Sequence, residues 1–256
     1  MAAVVVGTPA PRINGDGTSE AEWRRSPWLA ALPSMEATTW LMGVARLVVV
    51  SPHPDDEVLG AGGLIATARA SGIPVCVVSV TDGEACYPGA ASWTSSRLRI
   101  VRRQELSRAL ACLGVDDTAV RTLDVGDGRV GAHEDALAEA LRHLLEQGDR
   151  LLTTWRNDGH PDHEAAARAV DRAGADCGVA VAQFPVWAWH WMSPAGSKTR
   201  LPAARRCVLA ADAARAKARA LACFASQRRS GEPGLPPILP AHVLARFERD
   251  YEVVLP

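Results

Sequence analysis

The chain has 256 residues, of which 48% are hydrophobic, and its formal net charge at pH 7 is -1. That length is enough for one substantial hydrophobic core. The near-neutral charge argues against nucleic acid or an anionic membrane as a partner. The six cysteines form no CxxC pair, which predicts a reduced, cytoplasmic protein. No apolar run reaches the roughly 20 residues that cross a bilayer, and Met1–Val6 is too short and uncharged for a secretory signal.

Residues 1–43 are predicted to form an N-terminal arm that packs on the main domain. Proline and glycine interrupt this segment repeatedly, which is typical of irregular backbone. Ser19 and Glu22 have the spacing of a capping box, so a short helix that carries Trp23 is expected there. Residues 44–256 are predicted to form a single domain.

From Val44 onward, apolar runs that predict buried strands alternate with runs that predict helices. The expected strands are Val44–Val50, Val75–Val80, Thr122–Val125, Leu151–Trp155, Val179–Trp187, Cys207–Ala210 and Tyr251–Leu255. Expected helices include Leu59–Ala70, Ser96–Leu113, Glu164–Ala173 and Asp212–Phe224. This alternation predicts an α/β fold, Rossmann-like and doubly wound, with a mostly parallel sheet and helices on both faces.

A dense group of ionisable residues follows the first predicted strand. His53, Asp55, Asp56 and Glu57 lie where that strand hands over to a helix. In an open α/β sheet this edge is where ligands bind. The adjacent carboxylates would repel one another unless a cation lay among them. We therefore expect a metal site, with His53 and Asp56 as its first candidate ligands.

A second group, His160, Asp162 and His163, follows the strand predicted at 151–155. Two histidines and a carboxylate form a three-ligand site that leaves one position open for water. A metal there lowers the pKa of the water and polarises a carbonyl oxygen. One of the two acids at 55 and 56 is then free to act as a general base. Spacing alone does not decide which acid, or which of His160 and His163, binds the metal.

The sequence argues against two other kinds of site. Gly60-Ala61-Gly62-Gly63 resembles a dinucleotide-binding turn, but Ile65 occupies the place of the third glycine, and the neighbouring carboxylates would face the pyrophosphate. These glycines are better explained by close packing of the first helix on the sheet. Two histidines and a carboxylate also form the facial triad of iron oxygenases. The α/β alternation and the spare acid favour hydrolysis instead.

Together, His53-Pro-Asp-Asp-Glu57 and His160-Pro-Asp-His163 resemble the PIG-L/LmbE family of zinc-dependent N-acetylglucosaminyl deacetylases. The supporting pattern covers most of residues 44–228 and includes Thr81-Asp82-Gly83-Glu84, Arg102-x-x-Glu105 and Ser226-Gln227. The resemblance implies a metal-dependent N-deacetylase, a hydrolase of linear amide C–N bonds. It would take an N-acetyl group from a GlcNAc-type sugar conjugate in antibiotic or thiol-cofactor biosynthesis, with one Zn²⁺ or other divalent ion per chain.

The resemblance also chooses among the candidates that spacing left open. It makes the metal ligands His53, Asp56 and His163. It makes Asp55 the general base for the attacking water, and His160 the group that stabilises the oxyanion or protonates the leaving amine. Asp162 would orient a histidine. Asp158 departs from the pattern, because some family members carry a tyrosine at that place.

Four aromatic residues are candidates for substrate contact. In an extended backbone, Trp187, Trp189 and Trp191 would share one face and form a platform for a sugar ring or an apolar aglycone. Packing of these tryptophans against the arm is the competing explanation. Tyr87 follows the acidic turn after the second strand and is also expected to touch substrate.

Two functional alternatives stay open at this stage. One is a metal-dependent amidase that acts on a small non-sugar amide. The other is a non-hydrolytic metal-binding or iron-oxygenase protein. Arg102 and Glu105, one helical turn apart, are expected to form a surface ion pair. The oligomeric state is not legible from the sequence.

Overall fold

A computed structural model describes residue 13, residues 15–196 and residues 200–256. The expectation for Met1–Val6 lies outside these residues, as does the rest of the arm before residue 13. Across the described part of the chain, no helix is long and apolar enough to span a membrane.

The strands are β1 (Ser34–Glu36), β2 (Arg46–Ser51), β3 (Val75–Ser79), β4 (Val120–Thr122), β5 (Asp149–Thr154), β6 (Ala180–Phe184), β7 (Arg205–Val208) and β8 (Tyr251–Val254). The helices are α1 (Glu20–Arg24), α2 (Pro27–Ala30), α3 (Ala37–Trp40), α4 (Asp56–Ala70), α5 (Ser95–Cys112), α6 (Glu134–Leu144), α7 (Pro161–Cys177), α8 (Ala188–Trp191), α9 (Ala211–Ala222), α10 (Ala225–Arg228) and α11 (Ala241–Leu244).

Within the described residues, the main sheet has five parallel strands in the order β4-β3-β2-β5-β6. Helices cover both faces, because successive side chains of a strand point to opposite sides. Val48 and Val50 pack with α6 and α7, whereas Leu47 and Val49 pack with α4, α5 and α9. The predicted doubly wound α/β fold is confirmed.

The chain reverses its winding direction between β2 and β5, which are neighbours in the sheet. Such a switch point opens a crevice at the carboxyl ends of the two strands. The loop after β2 carries His53 and the loop after β5 carries His160. Strand order therefore brings the two sequence clusters to one place.

Both helices at this crevice begin earlier than predicted. Helix α4 begins at Asp56 rather than Leu59, and α7 begins at Pro161 rather than Glu164. Proline is favoured in the first turn of a helix because its missing N–H is unneeded there. The predicted ligands Asp56 and His163 therefore lie on first turns, where helical backbone holds them more firmly than a loop would.

Residues 15–43 join a second, smaller sheet. Strand β1 pairs in parallel with β7, and β7 pairs antiparallel with β8. A bridge between Gln183 and Leu255 connects this sheet to the edge strand β6. Trp23 of α1 is fully buried, and its Nε1 donates to the Trp189 carbonyl at 2.8 Å.

The glycines of α4 allow the close packing expected of them. A Cβ at Gly60 would lie 1.9 Å from the Phe184 ring. A Cβ at Gly63 would lie 2.3 Å from Leu209. A side chain at either position would force the sheet and helix apart, so these glycines serve packing rather than phosphate binding.

Candidate metal centre

The turn between β2 and α4 is backbone-strained at Asp55. Its φ of 139° lies in a region that residues with a side chain rarely adopt, at a cost on the order of 1–3 kcal/mol. The Asp55 carbonyl accepts from the N–H groups of Val58 and Leu59, which starts the helix. Strain held in place by the surrounding structure is a common feature of functional sites.

Three ligand atoms form a nearly equilateral triangle beside this turn. His53 Nδ1 lies 3.3 Å from His163 Nε2 and 3.3 Å from Asp56 Oδ2. His163 Nε2 lies 3.2 Å from Asp56 Oδ2. Tetrahedral coordination with bonds near 2.0–2.1 Å separates neighbouring ligands by roughly 3.3 Å. The donor set, two imidazole nitrogens and one carboxylate oxygen, therefore fits a tetrahedral divalent ion with one position left for a small ligand.

His163 is oriented by Asp158. Its Nδ1 lies 2.8 Å from Asp158 Oδ2, and both side chains are fully buried. The same carboxylate accepts backbone N–H groups of residues 186–188. A carboxylate that accepts a hydrogen bond from Nδ1–H keeps the hydrogen on Nδ1, so the lone pair on Nε2 is free to bind a metal. Asp158, which departs from the pattern that the resemblance implies, thus fixes the tautomer of a predicted ligand.

His53 is oriented from the opposite side. Its Nε2 lies 3.1 Å from Asp127 Oδ1 and 3.3 Å from Asp162 Oδ2. Asp162 also accepts the N–H groups of Gly128 and Val130. The expected proximity of Asp162 to a histidine is therefore present, and Asp127 lies beside it.

The electrostatics of this group favour positive charge. Burial lowers the pKa of His163, but the carboxylates of Asp56 and Asp158 outweigh it and raise that pKa to about 9. Burial likewise raises the pKa of Asp56, but His163 and His53 outweigh it and bring that pKa far below the usual range. A buried cluster that stabilises added positive charge is suited to a cation.

His160 differs from the other two histidines. Burial and its two histidine neighbours lower the pKa of His160 to about 3, so the ring is neutral near pH 7. Its Nδ1 accepts from the Asp162 N–H at 3.3 Å, so the remaining ring hydrogen is on Nε2. His160 can therefore donate a hydrogen bond into the site without carrying charge.

Asp55 is held by Arg102 rather than by a metal ligand. Arg102 Nη2 donates to Asp55 Oδ2 at 2.9 Å and also to the Pro54 carbonyl. Burial raises the pKa of Asp55 to about 7, against the opposing charge of Arg102. A general base works best with a pKa near the working pH. The surface ion pair expected between Arg102 and Glu105 is wrong, because both side chains are buried and take other partners.

Glu105 instead holds α10. Its two carboxylate oxygens accept from the Ser226 N–H and hydroxyl, each at 2.7 Å. The Tyr87 hydroxyl donates to the Ser226 carbonyl at 2.8 Å. The motif residues of α5 and α10 therefore link the base-holding helix to the segment that follows α9.

Glu57, to which the sequence assigns no role, is bonded to the backbone of the strained turn at Asp55. Its Oε2 accepts from the Ser51 hydroxyl at 2.6 Å and from the Asp55 N–H at 3.2 Å. Burial raises the pKa of Glu57 to about 8. Glu57 therefore supports the turn as a mostly protonated acid instead of adding a charge to the metal ligands.

The site opens into a cavity of ≈ 770 Å³, within the range of small-molecule pockets. Among the predicted site residues, the cavity is lined by His53, Asp55, Asp56, His160 and Trp187. His163 and Asp162 lie behind this surface and touch it through His53.

The extended backbone expected for the three tryptophans is wrong. Strand β6 ends at Phe184, because the next backbone N–H groups are taken by Asp158, and residues 188–191 are helical. Trp189 is buried and packs edge-on against Trp23, with 4.9 Å between the two ring centroids. Trp191 donates to the Asp158 carbonyl. Trp187 alone of the three lines the cavity, so contact with substrate stays a prediction for that residue.

Tyr87 is buried and bonded to Ser226, so its role is to hold the cavity wall rather than to present its hydroxyl. Asp127 and Asp158 are the residues whose part in the site sequence reasoning missed. Asp127 lies two residues beyond the strand predicted at Thr122–Val125, with no metal-binding residue beside it in the sequence. Asp158 lies five residues before the candidate ligand His163, and this spacing could have marked it as a partner of that histidine. The direction of the Asp158 side chain, however, depends on the path of the loop.

Known proteins share sequence and fold with this chain. Residues 48–174 match the sequence model of the family described as PIG-L: GlcNAc-PI de-N-acetylase. A probable N-acetyl-alpha-D-glucosaminyl L-malate deacetylase 2 of Bacillus subtilis is 34% identical over 134 residues, 50% of this chain and 60% of that protein. A 1D-myo-inositol 2-acetamido-2-deoxy-alpha-D-glucopyranoside deacetylase of Rhodococcus jostii is 32% identical over 170 residues, 54% of this chain and 58% of that protein. The chain thus spans about three fifths of the length of these curated relatives.

Solved structures share the fold. A deacetylase bound to teicoplanin, from the teicoplanin biosynthesis pathway, superposes with a TM-score of 0.62 at 20% identity, covering 82% of this chain and 97% of that one. N,N'-diacetylchitobiose deacetylase from Pyrococcus horikoshii gives a TM-score of 0.59 at 20% identity, covering 77% of this chain and 76% of that one.

Proposed function

Residues 48–174 match the PIG-L family model, and on that premise we propose that this chain is a zinc-dependent N-deacetylase. It removes the acetyl group from a GlcNAc-type sugar conjugate and yields acetate and a free amine. The observation that carries the proposal is the ligand triangle of His53, Asp56 and His163, with Asp55 and His160 facing the same cavity.

The three ligand atoms suit Zn²⁺, because imidazole nitrogen and carboxylate oxygen in a three-ligand site are typical of catalytic zinc. When bound, the ion supplies a Lewis acid for the acetyl carbonyl and lowers the pKa of water. Asp158 and the pair Asp127 and Asp162 keep the two histidine ligands in their binding tautomers and orientations.

Asp55 acts as the general base. Arg102 occupies its Oδ2, so Oδ1 is the oxygen that takes a proton from the attacking water. The water oxygen then bonds to the acetyl carbon, and the amide C–N bond breaks as the tetrahedral intermediate collapses. The proton held by Asp55 can pass to the departing nitrogen, which balances the reaction.

His160 stabilises negative charge on the carbonyl oxygen. The neutral ring donates through Nε2 while Nδ1 stays bonded to the Asp162 N–H. Preorganised donors of this kind are worth about 10²–10³ in kcat when aimed at a developing oxyanion. Its place on the cavity surface supports this role.

The substrate class is carried over from relatives, whose printed names refer to N-acetylglucosaminyl malate and to an acetamidodeoxyglucopyranoside of inositol. For this chain we propose a sugar conjugate of antibiotic or thiol-cofactor biosynthesis. The cysteine usage supports a reducing compartment, the cytoplasm.

The test combines metal analysis with product release. We expect the purified protein to hold about one divalent ion per chain, and chelation to abolish acetate release from N-acetylglucosaminides until Zn²⁺ is restored. Amine release measured in parallel confirms that the acetyl amide is the bond broken.

Two variants separate the roles. Asp55→Ala should keep the metal and lose acetate release, whereas His163→Ala should lose the metal as well. Undiminished acetate release by Asp55→Ala would overturn the mechanism. If the protein keeps its metal ion in the presence of chelator and releases no acetate, a metal-binding or oxygenase function would be favoured instead.

A further inference from the structure

The cavity has two kinds of lining. One part is the ionisable surface at the ends of β2 and β5, already described. The other part is mostly apolar and comes from three places far apart in sequence: residues 13, 15 and 16, residues 186–190 and residues 236–243. The family match begins at residue 48 and ends at residue 174, so all three segments lie outside it.

The N-terminal part of this wall is fixed in place. Arg246 is buried, and its guanidinium donates to the Asp16 carbonyl at 2.6 Å and to the Thr18 carbonyl at 2.8 Å. The Thr18 N–H donates to the His190 carbonyl at 2.8 Å. Gly17 passes so close to His190 that a Cβ there would lie 2.6 Å from the His190 carbonyl oxygen.

The C-terminal part of the wall is held from below. The Leu239 N–H donates to the Gln227 carbonyl at 2.8 Å. Two further hydrogen bonds hold the loop that leads into this segment. The Trp93 indole N–H donates to the Ser230 carbonyl, and the Ser230 hydroxyl donates to the Leu235 carbonyl. The surface presented to the cavity is therefore preorganised.

The side chains of this wall are those of an apolar binding surface. Trp187 is half-buried and turns part of its ring system to the cavity. The other apolar side chains of the wall are those of Ile13, Val186, Pro236, Pro237, Ile238, Leu239, Pro240 and Val243. Exposed aromatic and aliphatic groups inside a pocket are characteristic of sites for apolar ligand groups.

The charged residues of the lining do not favour an aglycone that carries a carboxylate. Among its described residues, Arg102 is the only lysine or arginine, and Asp55 and the Pro54 carbonyl already engage it. Asp16 adds an acidic group to the apolar part of the lining. A carboxylate-bearing aglycone would find no lysine or arginine left to pair with among these residues.

We propose that Ile13, Gly15, Trp187 and residues 236–243 form an aglycone subsite for an uncharged, apolar group attached to the sugar. The inference rests on the proposed function, since it places the acetylated sugar at the metal centre and its aglycone against this wall. It separates this chain from relatives named for a malate aglycone.

The test compares three N-acetylglucosaminides that differ only in the aglycone: 4-nitrophenyl, methyl and malyl. We expect kcat/KM for the 4-nitrophenyl substrate to exceed that for the methyl substrate by about tenfold, the scale of burying one aromatic ring. The malyl substrate should fall below both. A malyl substrate that is preferred, or equal rates for 4-nitrophenyl and methyl, would overturn the subsite.

Two variants locate the preference. Trp187→Ala and Ile238→Ser should each lower the ratio of kcat/KM for 4-nitrophenyl over methyl by at least about fivefold. Ile100→Ser is the matched control, because Ile100 is 60% exposed on α5 and lies outside the cavity lining. The ratio should stay at its original value in that control.

A binding measurement keeps the two proposals distinguishable. Calorimetric titration with 4-nitrophenyl glucoside, which has no acetyl group, reports the subsite without any reaction. Trp187-dependent binding without acetate release from any sugar would uphold the subsite and reject the deacetylase. Acetate release with no aglycone preference and no glucoside binding would do the reverse.

Discussion

The carboxylate of Asp158 and the imidazole of His163 are joined by a 2.8 Å hydrogen bond between two fully buried side chains. The two residues are five positions apart, one in the loop after β5 and the other on the first turn of α7. Because Asp158 also accepts backbone N–H groups of residues 186–188, its position is set by the segment that leads to Trp187. The same carboxylate therefore orients a metal ligand and anchors the backbone of the cavity wall at residues 186–188.

From this relationship we expect Asp158→Asn to weaken metal binding by about 10- to 100-fold. The amide would place an N–H group against the Nδ1 hydrogen of His163 and disturb the tautomer that frees Nε2. Competition with a chromogenic chelator measures the affinity.

Asp82→Asn is the matched control, since Asp82 is also a buried acid after a strand but pairs with Arg103. Its metal affinity should match that of the unaltered protein. Equal affinities of Asp158→Asn and Asp82→Asn would contradict the orienting role.

Arg102 is expected to position Asp55 for catalysis. Arg102→Met should lower kcat by about 100-fold, because a base displaced by an ångström loses its alignment, while metal content and KM change little. Arg102→Lys should recover part of kcat, since lysine can still reach an oxygen of Asp55.

Arg103→Met provides the comparison one residue along α5, because Arg103 is half exposed and contacts Asp82 and Asp124. Steady-state kinetics with one N-acetylglucosaminide suffice. A loss in Arg102→Met that appears only in KM would assign Arg102 to substrate binding instead.

Tyr87 should resist ionisation in the folded protein. Burial raises the pKa of Tyr87 to about 12, above its ordinary value near 10. The folded state holds this proton more tightly than the unfolded state, so the associated stability is complete below pH 10 and is lost as the pH rises through 12.

Ultraviolet titration of tyrosinate measures this ionisation, and Tyr87→Phe identifies its component beside the other tyrosine, Tyr251. Ionisation of Tyr87 near pH 10 in a protein that is still folded would show that the hydroxyl is not buried on the Ser226 carbonyl.

Trp23 tests whether residues 15–43 belong to the same folding unit as the sheet. Trp23→Ala should lower the free energy of unfolding by about 3 to 5 kcal/mol, the cost of deleting a large buried side chain. The ring is fully buried and contacts Trp189. Urea denaturation followed by circular dichroism measures the change.

Trp40→Ala is the control within the same segment, because Trp40 is only partly buried and packs under the Arg150 guanidinium. Its cost should be less than half as large. An unchanged stability of Trp23→Ala would mean that the segment is an appendage to an independently stable domain.

The sequence by itself determined the α/β class, the strand and helix alternation of the main sheet, and the two clusters at 53–57 and 160–163. Apolar periodicity is a local property, and so is the identity of metal-binding side chains. The strand–helix alternation also predicted which strand ends those clusters follow, and parallel strands place their carboxyl ends on one edge of the sheet.

Tertiary structure alone decided which partners meet. Asp158 rather than Asp162 holds His163, Arg102 reaches Asp55 instead of Glu105, and Trp187 reaches the cavity while Trp189 and Trp191 do not. These outcomes depend on the path of loops and on backbone hydrogen bonds between segments distant in the chain. A loop side chain takes its direction from neighbours that are distant in the sequence. The apolar wall likewise exists only once Ile13 and Gly15 are brought together with residues 236–243.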